Sequence, residues 1–222
     1  GAALGLLAAG RTLLTARTEE LVRAWDVPYG AIILRLDPLA AIFLVPLLVL
    51  SALAAVYGTR YLADEAAHHS LGAHSFHFCT LLAAMAVVLL ARNAVLFLVA
   101  WEVMSLAAYF LVTFSHEREE AREAGWTYLV ATHLGTAFLL AMFVLLGRAA
   151  GSLDFDRMRQ AGLAGSPLAT VVFLLAVVGF GTKAGFFGLH VWLPEAHPAA
   201  PSHVSAVMSG VMIKTGIYGL LR

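Results

Sequence analysis

Apolar stretches of about the length of a membrane span recur along this chain, and nothing between them is long enough to form a soluble domain. A spanning helix needs about 20 mostly apolar residues. Residues 38–59, 75–91, 93–115, 126–147, 168–193 and 203–221 meet or approach that length, and residues 1–14 form a partial one. The chain is 61% hydrophobic and only 13% charged, against about 25% charged in soluble domains. The expected fold is therefore an all-α integral membrane protein, a multi-helix bundle in a single transmembrane domain over 1–222. A formal net charge of +0 argues against a nucleic-acid partner.

The connections carry the remaining polarity. Residues 15–37 end in WDVPYGAIILRL, which reads as a short extended segment at the surface. HEREEAREA, residues 116–124, reads as a charged, solvated helical loop. Residues 152–161 suggest a short interfacial helix capped by Ser152 or Asp154, and Ser202 suits the N-cap of the last helix. HPAAPSH, residues 197–203, reads as a rigid turn. Cys79 reads as a small core hydrophobe, and no zinc spacing links His190, His197 and His203. The start at Gly1 and the stop at Arg222 read as the ends of a fragment.

The chain has two lysines, Lys183 and Lys214, and both fall inside spanning stretches. Arginine stays charged almost anywhere, whereas a buried lysine can lose its proton near neutral pH. Glu102 is the acidic residue at mid-span, nine residues after Asn93, or about 14 Å along a helix. Ser105 and Tyr109 continue a polar stripe below it. Ionisable groups at that depth are costly and mark ion or proton paths. His133, flanked by Thr132 and Thr136, is a further candidate, as is His203, which shares one face with Val207, Gly210 and Lys214. Two readings stay open: a proton path, or a static Glu102–Lys183 pair that only fixes helix register. Glycines crowd Lys183, and Gly181, Gly185 and Gly188 predict a broken helix. It should end near Lys183, open over 184–188 and resume through Trp192. Close packing by small residues is the competing account.

The stretches RLDPLAAIFL, AWEVMSLAAYFLV and TKAGFFGLHVWLPEAHPAAPSHVSAVMSGVMIKTGIYGLLR resemble the antiporter-like membrane subunits of respiratory complex I, multisubunit sodium/proton antiporters and membrane-bound nickel–iron hydrogenases. The last of these looks most like the large subunit of this kind in formate hydrogenlyase-type hydrogenases. The resemblance covers residues 37–222. It implies two inverted repeats, of which this chain holds the first, and a proton relay through Glu102, Lys183 and Lys214. It implies other membrane subunits and a peripheral redox arm as partners. Nickel–iron, iron–sulfur, flavin or quinone groups would belong to those partners, with no cofactor or metal in this chain. The site would be a bacterial plasma membrane, and the ion a proton or sodium. Many relatives have proline where this chain has Gly188, so the break here rests on glycine. The arginine distribution would put the 92–93 turn in the cytoplasm, and the resemblance implies the reverse. An antiporter subunit without redox partners and a structural anchor for a redox arm are the alternative functions.

Overall fold

The computed structural model describes residues 1–63 and 69–222. Among the described residues, six helices are long and apolar enough to cross a membrane. The order is α1 (Ala2–Thr15), a hairpin of β1 (Glu19–Arg23) and β2 (Ile32–Leu36), α2 (Pro38–Tyr61), α3 (Leu71–Leu90), α4 (Ala94–Val112) and α5 (Glu119–Ala150). Then come α6 (Phe155–Gln160), α7 (Pro167–Ala184), α8 (Leu193–Ala199), α9 (Ser202–Val207), a π-helical turn (Met208–Met212) and α10 (Lys214–Leu221). The sixth span is the composite of α9, the π turn and α10.

Local chemistry explains most boundaries. Asp37, Ser70, Asn93 and Ser166 each accept a hydrogen bond from a backbone N–H in the first turn of α2, α3, α4 and α7, satisfying donors that a helix start leaves open. Glu119 and Glu120 sit at the positive end of α5. HEREEAREA is thus largely the first turns of α5, not a loop. Asp154 is the N-cap position of α6 but its side chain makes no capping bond there. It accepts from Asn93 Nδ2 at 2.8 Å instead. Ser202 opens α9 as its first residue, with Pro201 at the cap, because the preceding proline already fixes the entry.

The extended segment pairs as an antiparallel hairpin, Glu19 opposite Leu36 and Arg23 opposite Ile32, a small β element in an otherwise helical chain. The tight turn between α3 and α4 is wedged between this hairpin and the segment before α6. Arg92 N donates to the Ile33 carbonyl, and Phe155 N donates to the Arg92 carbonyl, both at 2.9 Å.

Helices α3 and α4 pack together, as do α5 with α7, α7 with α10, and α1 with α2. The core lies where α4 meets α3, α5 and the last span, around Met85, Met104, Tyr128 and Met212. Cys79 is not in it; it is exposed on α3. An outward position on a spanning helix is apolar because lipid covers it, so an apolar run alone cannot place a side chain in the core.

Candidate functional site

Three helices bring their polar residues to one place. Lys183 occupies the last turn of α7 and is only 2% exposed. Its Nζ lies 2.8 Å from Ser105 Oγ on α4 and 3.2 Å from Tyr128 OH on α5. The rings of Trp101 and Tyr128 stand 5.5 and 5.3 Å from the nitrogen. A helix C-terminus and two aromatic faces both favour a cation there. No carboxylate lies within ion-pair distance of Lys183 among the described residues.

Glu102 is one turn before Ser105 on α4, but its contact is with α5. Its Oε2 lies 3.2 Å from His133 Nε2, with side-chain exposures of 30% for Glu102 and 47% for His133. Its other oxygen, Oε1, is buried without a hydrogen-bond partner. The expected direct Glu102–Lys183 pair is therefore absent: histidine is the carboxylate's neighbour, and hydroxyls surround the lysine. His133 Nδ1 lies 2.9 Å from the Leu129 carbonyl, a contact that holds the ring with Nε2 toward Glu102.

Close approach of α5 to α7 sets this geometry. A Cβ on Gly179 would meet the Gly135 carbonyl oxygen at 2.9 Å, so these two glycines let the backbones touch. Helix α7 stops one residue past Lys183, where Gly185 adopts φ 74°, a left-handed conformation that suits glycine. The interruption runs to Trp192, whose Nε1 donates to the freed carbonyl of Thr182 at 2.8 Å. The second half-helix is α8, which starts at Leu193 and not between 188 and Trp192, and it absorbs part of the expected HPAAPSH turn. Gly188 also has positive φ, whereas Gly181 remains inside α7. Gly185 and Gly188 thus lie in the interruption, and Gly181 lies within the helix.

Lys214 is not in this cluster. It is exposed at the start of α10 and lines a cleft of about 210 Å³ with Pro46, Met85 and Gly210. The π turn explains why the shared face with His203 fails: it adds a residue to the turn and rotates α10 relative to α9. His203 points elsewhere, against Gly58 and into the rings of Tyr61, His74 and Phe78, with the His74 centroid 4.9 Å away. His203 Nδ1 and His74 Nε2 are buried without partners. His197 interacts with the hydroxyls of Ser205 and Ser209, and burial lowers its proton affinity below the ordinary histidine range.

Tyr128 went unnoticed in the sequence, although a lone tyrosine near the start of an apolar run needs a partner for its hydroxyl. A second polar centre also went unnoticed. Arg92, 2% exposed, donates to Asp37 Oδ2 at 3.0 Å and to the carbonyls of Ala91 and Arg35. Arg222 grips both Asp37 oxygens at 2.6 and 2.8 Å. Burial pushes the Asp37 carboxyl up, but Arg222, the Ala40 amide and Arg92 outweigh it and hold it well below the usual carboxylate range.

The model of the family described as NADH:quinone oxidoreductase/Mrp antiporter, TM, matches residues 91–222. The chain is 41% identical over 195 residues to "Hydrogenase-4 component B" of Escherichia coli (strain K12), covering 87% of this chain and 28% of that protein. It is 32% identical over 224 residues to "Formate hydrogenlyase subunit 3" of the same organism, covering 100% of this chain and 34% of that protein. Among solved structures it is similar to a chain in "Structure of Mrp complex from Dietzia sp. DQ12-45-1b", with TM-score 0.87, 27% identity, and coverage of 100% of this chain and 24% of that one. The chain thus spans about a quarter to a third of the length of these relatives.

Proposed function

This chain belongs to the NADH:quinone oxidoreductase/Mrp antiporter transmembrane family, and on that premise we propose that it carries one half of a proton path in a redox-driven membrane complex. Multi-pass insertion follows from its six apolar spans. The relay runs from the Glu102–His133 couple to Lys183 and onward to Lys214, with His203 as a side group near one end of its span. Partner subunits in a bacterial-type plasma membrane would hold the redox arm and its nickel–iron, iron–sulfur, flavin or quinone groups.

One observation carries this reading: Lys183 is buried, and its hydrogen-bond partners are hydroxyls. A carboxylate partner would lock a lysine as ammonium. Serine and tyrosine hydroxyls accept from an ammonium and, by rotating, donate to a neutral amine. The site therefore suits both protonation states, as a carrier requires and a static pair does not. With Glu102 ionised, Lys183 holds its proton. When the couple takes up a proton, that support is lost and Lys183 releases its own. Ser105 is one helical turn, about 5–6 Å, from Glu102, so transfer across that gap needs a water or a side-chain swing. Lys214 faces its own cleft, and the step to it needs the same help.

The test is acidification of sealed vesicles holding the full-length complex during electron transfer. Lys183→Ala and Glu102→Gln should each abolish acidification while electron transfer and membrane insertion persist. Normal acidification in either variant would sink the relay.

A further inference from the structure

A cavity of about 340 Å³ opens at the end of the bundle where the Arg92–Asn93 turn, α6, the start of α2 and the end of α10 meet. Its wall is divided in chemistry. Arg35, Arg92, Arg159 and Arg222 line it together with Asp37 and Asp156, and Phe97, Phe143, Phe155, Phe173 and Phe180 supply much of the rest. Four guanidiniums against two carboxylates leave two positive charges in excess, and Glu20, bonded to Arg35 at 2.7 Å, offsets one more. Both carboxylates are already committed: Asp37 to Arg92 and Arg222, Asp156 to Arg35. They offer little repulsion to an incoming anion. One guanidinium of the four has no direct partner. Arg159, exposed on α6, makes no hydrogen bond or ion pair among the described residues.

We infer that this cavity is a binding site for an anionic phospholipid. A small soluble anion would have no use for five phenylalanines, and a neutral lipid none for the surplus arginine charge. The cavity lies beside the starts of α2 and α4, the end of α10 and the short α6, and the ends of spanning helices lie near the headgroup region. The phosphate sits against Arg159, whose guanidinium fork suits phosphate oxygens. The glycerol and first methylenes lie against Phe173 and Phe155, and the chains run out through the open side into the bilayer. Arg159 anchors the headgroup; the Asp37 network holds the wall and does not itself recognise lipid.

The test uses the full-length chain, delipidated in neutral detergent and titrated with phosphatidylglycerol or phosphatidylcholine, with bound lipid counted per chain by native mass spectrometry. Arg157, exposed on the same helix but outside the cavity wall, is the matched control. One saturable phosphatidylglycerol is expected, with weak phosphatidylcholine binding. Arg159→Ala should weaken phosphatidylglycerol binding about fivefold, the effect of one basic residue near an anionic headgroup. Arg157→Ala should not change it. Equal losses in the two variants would reduce the effect to surface charge, and an unchanged Arg159→Ala would remove the anchor; either overturns the site. Displacement of the lipid by inorganic phosphate would show a free-anion pocket, and absence of stoichiometric lipid would show that other parts of the full chain fill it; each of these also overturns the site.

Discussion

Arg92 and Lys183 are equally buried cations with opposite surroundings. Arg92 lies at helix ends, tied to the Asp37 carboxylate and to backbone carbonyls. Lys183 lies at a helix break, touching hydroxyls and ring faces. Equal burial therefore does not imply equal roles. A guanidinium cannot shed its proton and is given acceptors that demand a cation, which makes it structural. An ammonium can shed its proton and is given partners that tolerate either state.

Making the lysine resemble the arginine gives the largest effect. Lys183→Arg keeps the positive charge but removes the titration, so proton translocation by the full-length complex should fall by at least about 100-fold while the protein stays folded. Translocation that survives in sealed vesicles would erase the contrast. Breaking the arginine side comes next. Asp37→Ala leaves two guanidiniums without their shared carboxylate, at a cost of about 3–5 kcal/mol. The thermal midpoint of the purified protein should drop clearly, and an unchanged midpoint would mean the network is idle. Ser105→Ala is subtler. It removes one of two hydroxyl partners and should slow translocation about tenfold and lower the midpoint less than Asp37→Ala does, since a hydrogen bond to a charged group contributes about 1.5–3 kcal/mol. A full-rate Ser105→Ala protein would leave Tyr128 as the sole useful partner.

Acid gives the smallest effect, and it also separates regions. Asp156 beside Arg35, like Asp37, is held below the usual carboxylate range. The stability these groups contribute is present above their unfolded value of about 3.9 and is lost only as pH falls through the lower folded value. His197 behaves differently. Burial lowers its proton affinity, so the unfolded state takes up protons first, and stability at the α8–α9 junction declines as pH drops below about 6.5. Between pH 8 and 5, protection from hydrogen exchange, taken against the intrinsic rate at each pH, should fall over residues 193–207 and stay constant over 35–38 and 91–93. Equal acceleration in both regions would contradict the distinction.

Apolar length pointed to six spans, because a bilayer tolerates little besides a helix of that length. The sequence also singled out Lys183 as a buried cation and placed a helix break beside it, since glycine's backbone freedom and a charge at membrane depth are local properties; the equally buried Arg92 was hidden because it lies in a turn. Partners are not local properties. That His133, rather than Lys183, sits against Glu102 depends on how α4 and α5 are rotated against each other. That Tyr128 reaches Lys183 depends on the close approach of α5 and α7 at Gly135 and Gly179. The separation of His203 from Lys214 depends on a π turn that adds one residue to a helical repeat. A single sequence read on ideal 3.6-residue geometry carries none of these rotations, and hydrogen-bond geometry turns on them at the scale of an ångström.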